Sequence, residues 1–285
     1  MCGSYAHAMV HVRLPGGRTL HAYDVPVADE TLAVVWHAGT PNTGEPPEPL
    51  LDAARERGIR WIGYDRPAYG TSTSDRGRSV ASAAGDTAAV ADALGVERFA
   101  VLGHSGGGPH ALACAALLPD RVTAAACGSS PAPFGVDGLD YFAGMGSSGR
   151  AELTAATQGR DALAAQLATG EFDPEMFTAA DYAALEGEWA WLGGIAGAAM
   201  AAGPDGMIDD DLALVGPWGF DPATVRTPVL FFHGLDDRMV PSTHTRWLSS
   251  QVPASTVWLR PGEGHVSVLS AAVQVLDWLV ARSTP

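Results

Sequence analysis

An α/β fold is what this 285-residue sequence predicts: a mostly parallel sheet with an opening antiparallel hairpin, helices on both faces and an inserted helical cap. Three observations carry that expectation. Short, nearly wholly apolar runs of strand length alternate with stretches of helical spacing, the pattern of a parallel sheet whose strands are buried on both sides. Residues 8–24 open the chain with a different, two-stranded pattern. From about Ser129 to Arg226 the alternation stops, leaving an Ala/Gly-rich stretch of helical character without a convincing buried strand.

In order, residues 8–24 set alternating stretches on either side of Pro15-Gly16-Gly17, as a β-hairpin needs. TLAVVWH (31–37) reads as a buried strand, followed by the loop AGTPNTGEPP. EPLLDAARERG (48–58) has helical spacing, acids early, arginines late and Gly58 where a C-terminal cap belongs. The strand IRWIGYD (59–65) leads through a Gly/Ser-rich loop into a helix from about Ser79 to Leu94. RFAVLGHS (98–105) is the next strand, with a helix beginning at Pro109. Late in the chain PVLFFHG (228–234), the helical THTRWLSSQV, the strand STVWLR and the helical SVLSAAVQVLDWLVARS resume the rhythm. The expected core is therefore 1–128 with 227–285, and 129–226 is the expected cap.

Seventeen basic against 32 acidic residues give a net charge of −15, which repels nucleic-acid phosphates and anionic lipid surfaces. A small-molecule substrate is expected, with neither a nucleic-acid nor a membrane partner; composition says nothing of oligomeric state. Every basic residue is arginine, so Schiff-base chemistry, a lysine general base and a phosphate-binding P-loop are excluded. Cys2, Cys114 and Cys127 show neither disulfide-framework nor zinc-site spacing, and the first residues do not read as a secretory leader, so a cytoplasmic protein is expected. Thirteen acids and one base, Arg160, fall between 151 and 225; this run reads as a solvated acidic surface that disfavours anionic substrates.

Gly103-His104-Ser105-Gly106-Gly107 matches G-x-S-x-G between a strand and a helix. A serine hydroxyl needs a base to become nucleophilic, a sharp strand-to-helix turn presents it, and the helix start offers free N–H groups to a developing oxyanion. A dinucleotide-binding reading of the same glycines fails because they begin too late after the strand and lack a placed acid. Of nine histidines, His265, in a glycine-rich loop after the last strand, is best placed to take the Ser105 proton. His7, His11, His21, His110 and His244 read as surface or packing residues, His37 and His233 as loop supports at strand ends, and His104 as a residue shaping the pocket. Asp236 and Asp237 both follow a strand and could orient the histidine, while Asp65 reads as a turn anchor. No spacing suggests a metal site, and no cofactor is expected.

VVWHAGTP, YDRPAYGTS, VLGHSGGGPHALA, FFHGLDDRMVP and PGEGH, in that order, make the sequence resemble the α/β-hydrolase superfamily, in a capped arrangement over essentially its full length. The resemblance implies a triad in the order Ser105, Asp237, His265, the family pattern His-Gly-x-x-Asp aligning Asp237 rather than Asp236. It also implies an oxyanion hole from the N–H groups of Thr40 and Gly106. Ala38 stands where the family has a histidine, leaving His37 as the expected support of that loop, and Ala68 replaces a common glycine.

The expected activity is hydrolysis of a carboxylic ester of a small to medium neutral substrate through an acyl-enzyme. Trp189, Trp191 and Met200, with Gly193-Gly194-Ile195-Ala196-Gly197-Ala198-Ala199, are candidates for lining an apolar cavity, although ordinary helix packing is the simpler account of the same residues. Alternatives within the family are a proline-iminopeptidase-like enzyme, favoured by the acidic cap and by Pro217-Trp218-Gly219-Phe220, a thioesterase, a carbon–carbon bond hydrolase or a perhydrolase. The alternative outside it is a non-catalytic ligand receptor on a hydrolase scaffold.

Overall fold

The computed structural model describes residues 8–170 and 173–283; Cys2 and His7 lie outside the described residues. The hairpin forms as its sequence requires: β1 (Ala8–Arg13) pairs antiparallel with β2 (Thr19–Val25), and Gly16 and Gly17 turn the chain at φ 87° and 88°. β3 (Leu32–His37) is buried throughout. A 3₁₀ turn and the short α1 (Leu51–Glu56) follow, then β4 (Ile59–Tyr64), α2 (Ser82–Ala93), β5 (Phe99–His104) and α3 (Gly107–Leu117). The next strand, β6 (Val122–Gly128), is one the sequence pattern did not announce.

Between β6 and the following strand lie α4 (Ser147–Gln158), α5 (Arg160–Thr169), α6 (Ala179–Glu186), α7 (Trp191–Met200) and α8 (Asp205–Val215). The chain then forms β7 (Val229–Gly234), α9 (Thr243–Gln251), β8 (Ser255–Arg260) and α10 (Ala272–Ser283). The eight strands make one sheet in the order β1-β2-β4-β3-β5-β6-β7-β8, antiparallel at β1, β2 and β4 and parallel from β4 to β8. This is the α/β-hydrolase fold.

Strand alternation divides the core into two layers. Val35, Val101 and Phe231 face a layer built with Val90 of α2, Leu112 of α3 and Leu248 of α9. Val34, Trp36, Leu102 and Phe232 face the opposite layer, with Leu51 of α1 and Val275 and Leu276 of α10. A small third cluster, Ala155, Ala156, Leu163 and Ile208, holds α4, α5 and α8 together. No helix among the described residues is long and apolar enough to cross a membrane. Because β3 to β8 are parallel, their carboxyl ends share one edge, and the loops there carry Thr40, Ser105, Asp237 and His265.

Candidate active site

Ser105 sits in the two-residue turn between β5 and α3 with φ 54°, a left-handed backbone that a side chain adopts only under local constraint. Its N–H donates to the Gly128 carbonyl at 2.9 Å, and the Gly108 N–H donates back to its own carbonyl at 2.9 Å. The turn is this tight because its neighbours are small: a Cβ on Gly103 would strike the Gly107 carbonyl, and one on Gly107 would strike the His37 carbonyl.

His265, on the loop after β8, meets Asp237, on the loop after β7, through Nδ1 and Oδ2 at 2.8 Å. The Asp237 Oδ1 accepts the N–H groups of Met239 and Val240, both at 2.9 Å, so the carboxylate is fixed on both sides. Burial opposes ionisation of Asp237, but His265 and His233 hold its pKa well below the carboxylate range. Burial likewise disfavours the imidazolium of His265, yet the Asp237 charge outweighs it and raises the pKa above that of a free imidazole. With Nδ1 donating to Asp237, Nε2 of neutral His265 is left as the acceptor. Asp236 is exposed, as expected of the residue beside an inward carboxylate. His104 Nε2–H donates to the His265 carbonyl at 2.9 Å, and burial lowers its pKa to about 3, so it stays neutral. His233 Nε2 lies 3.2 Å from Asp237 Oδ2 and 2.7 Å from the Val240 carbonyl, supporting the acid's loop from within.

Thr40 and Gly106 stand side by side: a Cβ on Gly106 would lie 3.4 Å from the Thr40 nitrogen. The support of this loop differs from the sequence expectation. His37 is enclosed beside Cys114 and Tyr64, and its Nδ1 has no partner among the described residues. Arg66 does the holding instead, donating from Nη1 to the Ala38 carbonyl at 2.6 Å and from Nη2 to the Gly39 carbonyl at 2.9 Å. Asp65 is the turn anchor expected, accepting from the Gly44 N–H at 2.7 Å and bonding His21 Nδ1 at 2.9 Å. Ala68, in the family's glycine position, takes φ 71°.

The acidic stretch corrects the sequence reading most. Asp181, Asp209, Asp210 and Asp211 are buried, not solvated. Asp210 of α8 receives Arg66 Nε at 3.0 Å, Arg78 Nη1 at 2.6 Å, Tyr69 OH at 2.9 Å and Thr40 Oγ1 at 2.8 Å. Asp181 of α6 accepts the N–H groups of Val266 and Ser267 at 2.7 and 2.9 Å, immediately after His265, and a Cβ on Gly264 would collide with its carboxylate. Two acids from between β6 and β7 thus grip the loops bearing Thr40 and His265. Sequence reasoning missed them; the signal was Asp209-Asp210-Asp211 flanked by Ile208 and Leu212, charge where helical spacing calls for an inner face.

Two cavities reach Ser105. One also touches Thr40, His104 and His265 and is walled by Phe177, Leu185, Leu192 and Ala196. The other touches Thr40 and Gly106 and is walled by Tyr141, Met145, Leu153 and Leu214, with Glu152 and Asp211. Trp189, Trp191 and Met200 line neither: Trp189 is packed into the core layer of α10, and Met200 is an exposed hydrophobic. Helix packing accounts for Trp189, while the adjacent Leu192 and Ala196 reach the cavity. Trp218 is likewise a core residue, donating to the Leu214 carbonyl at 3.1 Å.

The profile of the alpha/beta hydrolase fold family matches residues 33–272. A non-heme chloroperoxidase of Streptomyces lividans is 29% identical over 272 residues, covering 86% of this chain and 89% of that protein. A thermophilic esterase from Thermogutta terrifontis superposes with a TM-score of 0.73 at 20% identity, over 97% of this chain and all (100%) of that one. The esterase EaEST from Exiguobacterium antarcticum gives 0.71 at 20% identity, over 96% and 100% of the respective chains.

Proposed function

Because the chain belongs to the α/β-hydrolase fold family, we propose that it is a serine hydrolase cleaving a carboxylic ester of a small to medium substrate through an acyl-enzyme. The observation that carries this reading is the His265–Asp237 contact of 2.8 Å at a cavity that Ser105 shares. His265 Nε2 takes the Ser105 proton as Oγ attacks the ester carbonyl, and the charge left on oxygen is met by the N–H groups of Thr40 and Gly106. The alcohol leaves with the proton from His265. Water, deprotonated by the same imidazole, then releases the acid and restores Ser105. In this reading residues 129–226 form a cap over the core of 1–128 and 227–285, and the apolar wall of Phe177, Leu185, Leu192 and Ala196 favours a neutral acyl or alcohol group in the cavity that it lines.

A fluorophosphonate probe tests the assignment: it should label the protein on Ser105 and spare Ser105→Ala, and the same substitution should abolish turnover of 4-nitrophenyl esters. Equal labelling of the two proteins would remove Ser105 from the reading. A second reading, in which peroxide rather than water takes the acyl group and leaves as a peracid, draws on the Streptomyces lividans relative. Peracid formation from a carboxylic acid and hydrogen peroxide would separate it from plain hydrolysis.

A further inference from the structure

The other buried acids near the site are each matched. Asp210 has Arg66 and Arg78, Asp209 has Arg160, Asp181 has backbone donors, and Asp237 has His265. Asp211 of α8 and Glu152 of α4 stand apart, since neither forms an ion pair among the described residues. Asp211 is only 2% exposed, its Oδ2 receives no hydrogen bond among the described residues, and it lines the second cavity together with Glu152, Ser105, Thr40 and Gly106. The two carboxyl groups lie within hydrogen-bonding reach of one another.

We propose that Glu152 and Asp211 bind a cationic nitrogen, an alkylammonium borne by the substrate, in the cavity that opens onto Ser105. The inference rests on the hydrolase reading in taking this cavity as the substrate's. An ammonium carries three N–H donors and no acceptor, which suits two facing carboxylates, and the apolar wall of Met145, Leu153, Met176 and Leu214 suits the carbon chain behind it. Without such a cation the pair must keep a proton. Burial pushes Glu152 up to about 7, and burial with the charges of Glu152 and Asp210 pushes Asp211 well above the carboxylate range, Arg78 relieving only part of this. Of the other polar groups on that wall, Arg238 gives its Nη1 to the Glu175 carbonyl and the Tyr141 hydroxyl has no partner among the described residues. A hydroxyl in place of the ammonium could fill the space but could not replace the proton's charge.

Calorimetry of the full chain at about pH 8, where pentylammonium is fully charged, compares it with 1-pentanol. Pentylammonium should bind about tenfold or more tightly than the alcohol and release a proton, seen as a buffer-dependent heat. Both signs should vanish in Glu152→Gln. Equal affinity for the two probes overturns the inference, as does a preference unchanged in both Glu152→Gln and Asp211→Asn. The measurement needs no catalysis, so selective binding without ester turnover supports the cation site while sinking the hydrolase reading. Ester turnover without selectivity does the reverse.

Discussion

Asp210 Oδ2 on α8 accepts a 2.8 Å hydrogen bond from Thr40 Oγ1, across 170 positions of sequence. The same carboxylate is ion-paired with both Arg66 and Arg78, and Arg66 in turn holds the carbonyls of Ala38 and Gly39. One buried acid therefore sets both the side chain of Thr40 and the backbone leading to it. Where a charge is buried this deeply its partners matter more than its neighbours in sequence, because an unpaired buried ion is strongly disfavoured.

Replacing Asp210 by Asn should therefore do two things. Leaving two buried guanidinium groups without a countercharge should cost about 3–5 kcal/mol of stability, read by urea denaturation. The folded fraction should also lose ester turnover through kcat more than KM, since the Thr40 loop would no longer be held for the oxyanion. Unchanged stability would mean that the ion cluster contributes nothing net.

Asp237→Asn should lower turnover by up to roughly 10⁴-fold with the fold intact, because the amide no longer fixes the imidazole tautomer or stabilises its charge. Asp236→Asn, at an exposed position, should change it little. Steady-state kinetics on the two variants settle the order, and the reverse ranking contradicts the geometry.

The kcat/KM profile should show one acid limb. Below the His265 pKa its Nε2 is protonated and cannot accept from Ser105, so activity rises as pH increases through that value. Asp237 raises this pKa, placing the limb above that of a free imidazole, while the depressed pKa of Asp237 keeps it charged throughout. A limb below the free-imidazole value would show that burial wins over the carboxylate.

Much of this was legible because it is local. The hairpin turn, the strands Leu32–His37, Phe99–His104 and Val229–Gly234, and the G-x-S-x-G turn each announce themselves within ten residues. β6 did not, because its sequence VTAAACG has small residues where strands usually carry branched ones; a Cβ at its last residue, Gly128, would strike the Phe232 ring. The partners of Asp181 and Asp210 were hidden for a different reason. Charge in a sequence reads as surface until the fold brings an arginine or a row of N–H groups to meet it. For Trp189 both a cavity wall and helix packing were open from the sequence, and it fills the core.

The grip of Asp181 and Asp210 on the two loops also bears on modular engineering. Exchanging the stretch between β6 and β7 for that of a relative is an obvious route to new substrates, yet here the donor stretch would have to bring its own carboxylates to both places. A graft lacking them would strand Arg66 and Arg78 and free the N–H groups of Val266 and Ser267. Such a chimera would fail in its host half, although every altered residue lay in the guest. The workable boundaries are set by those two ion and hydrogen-bond junctions rather than by the ends of the strands.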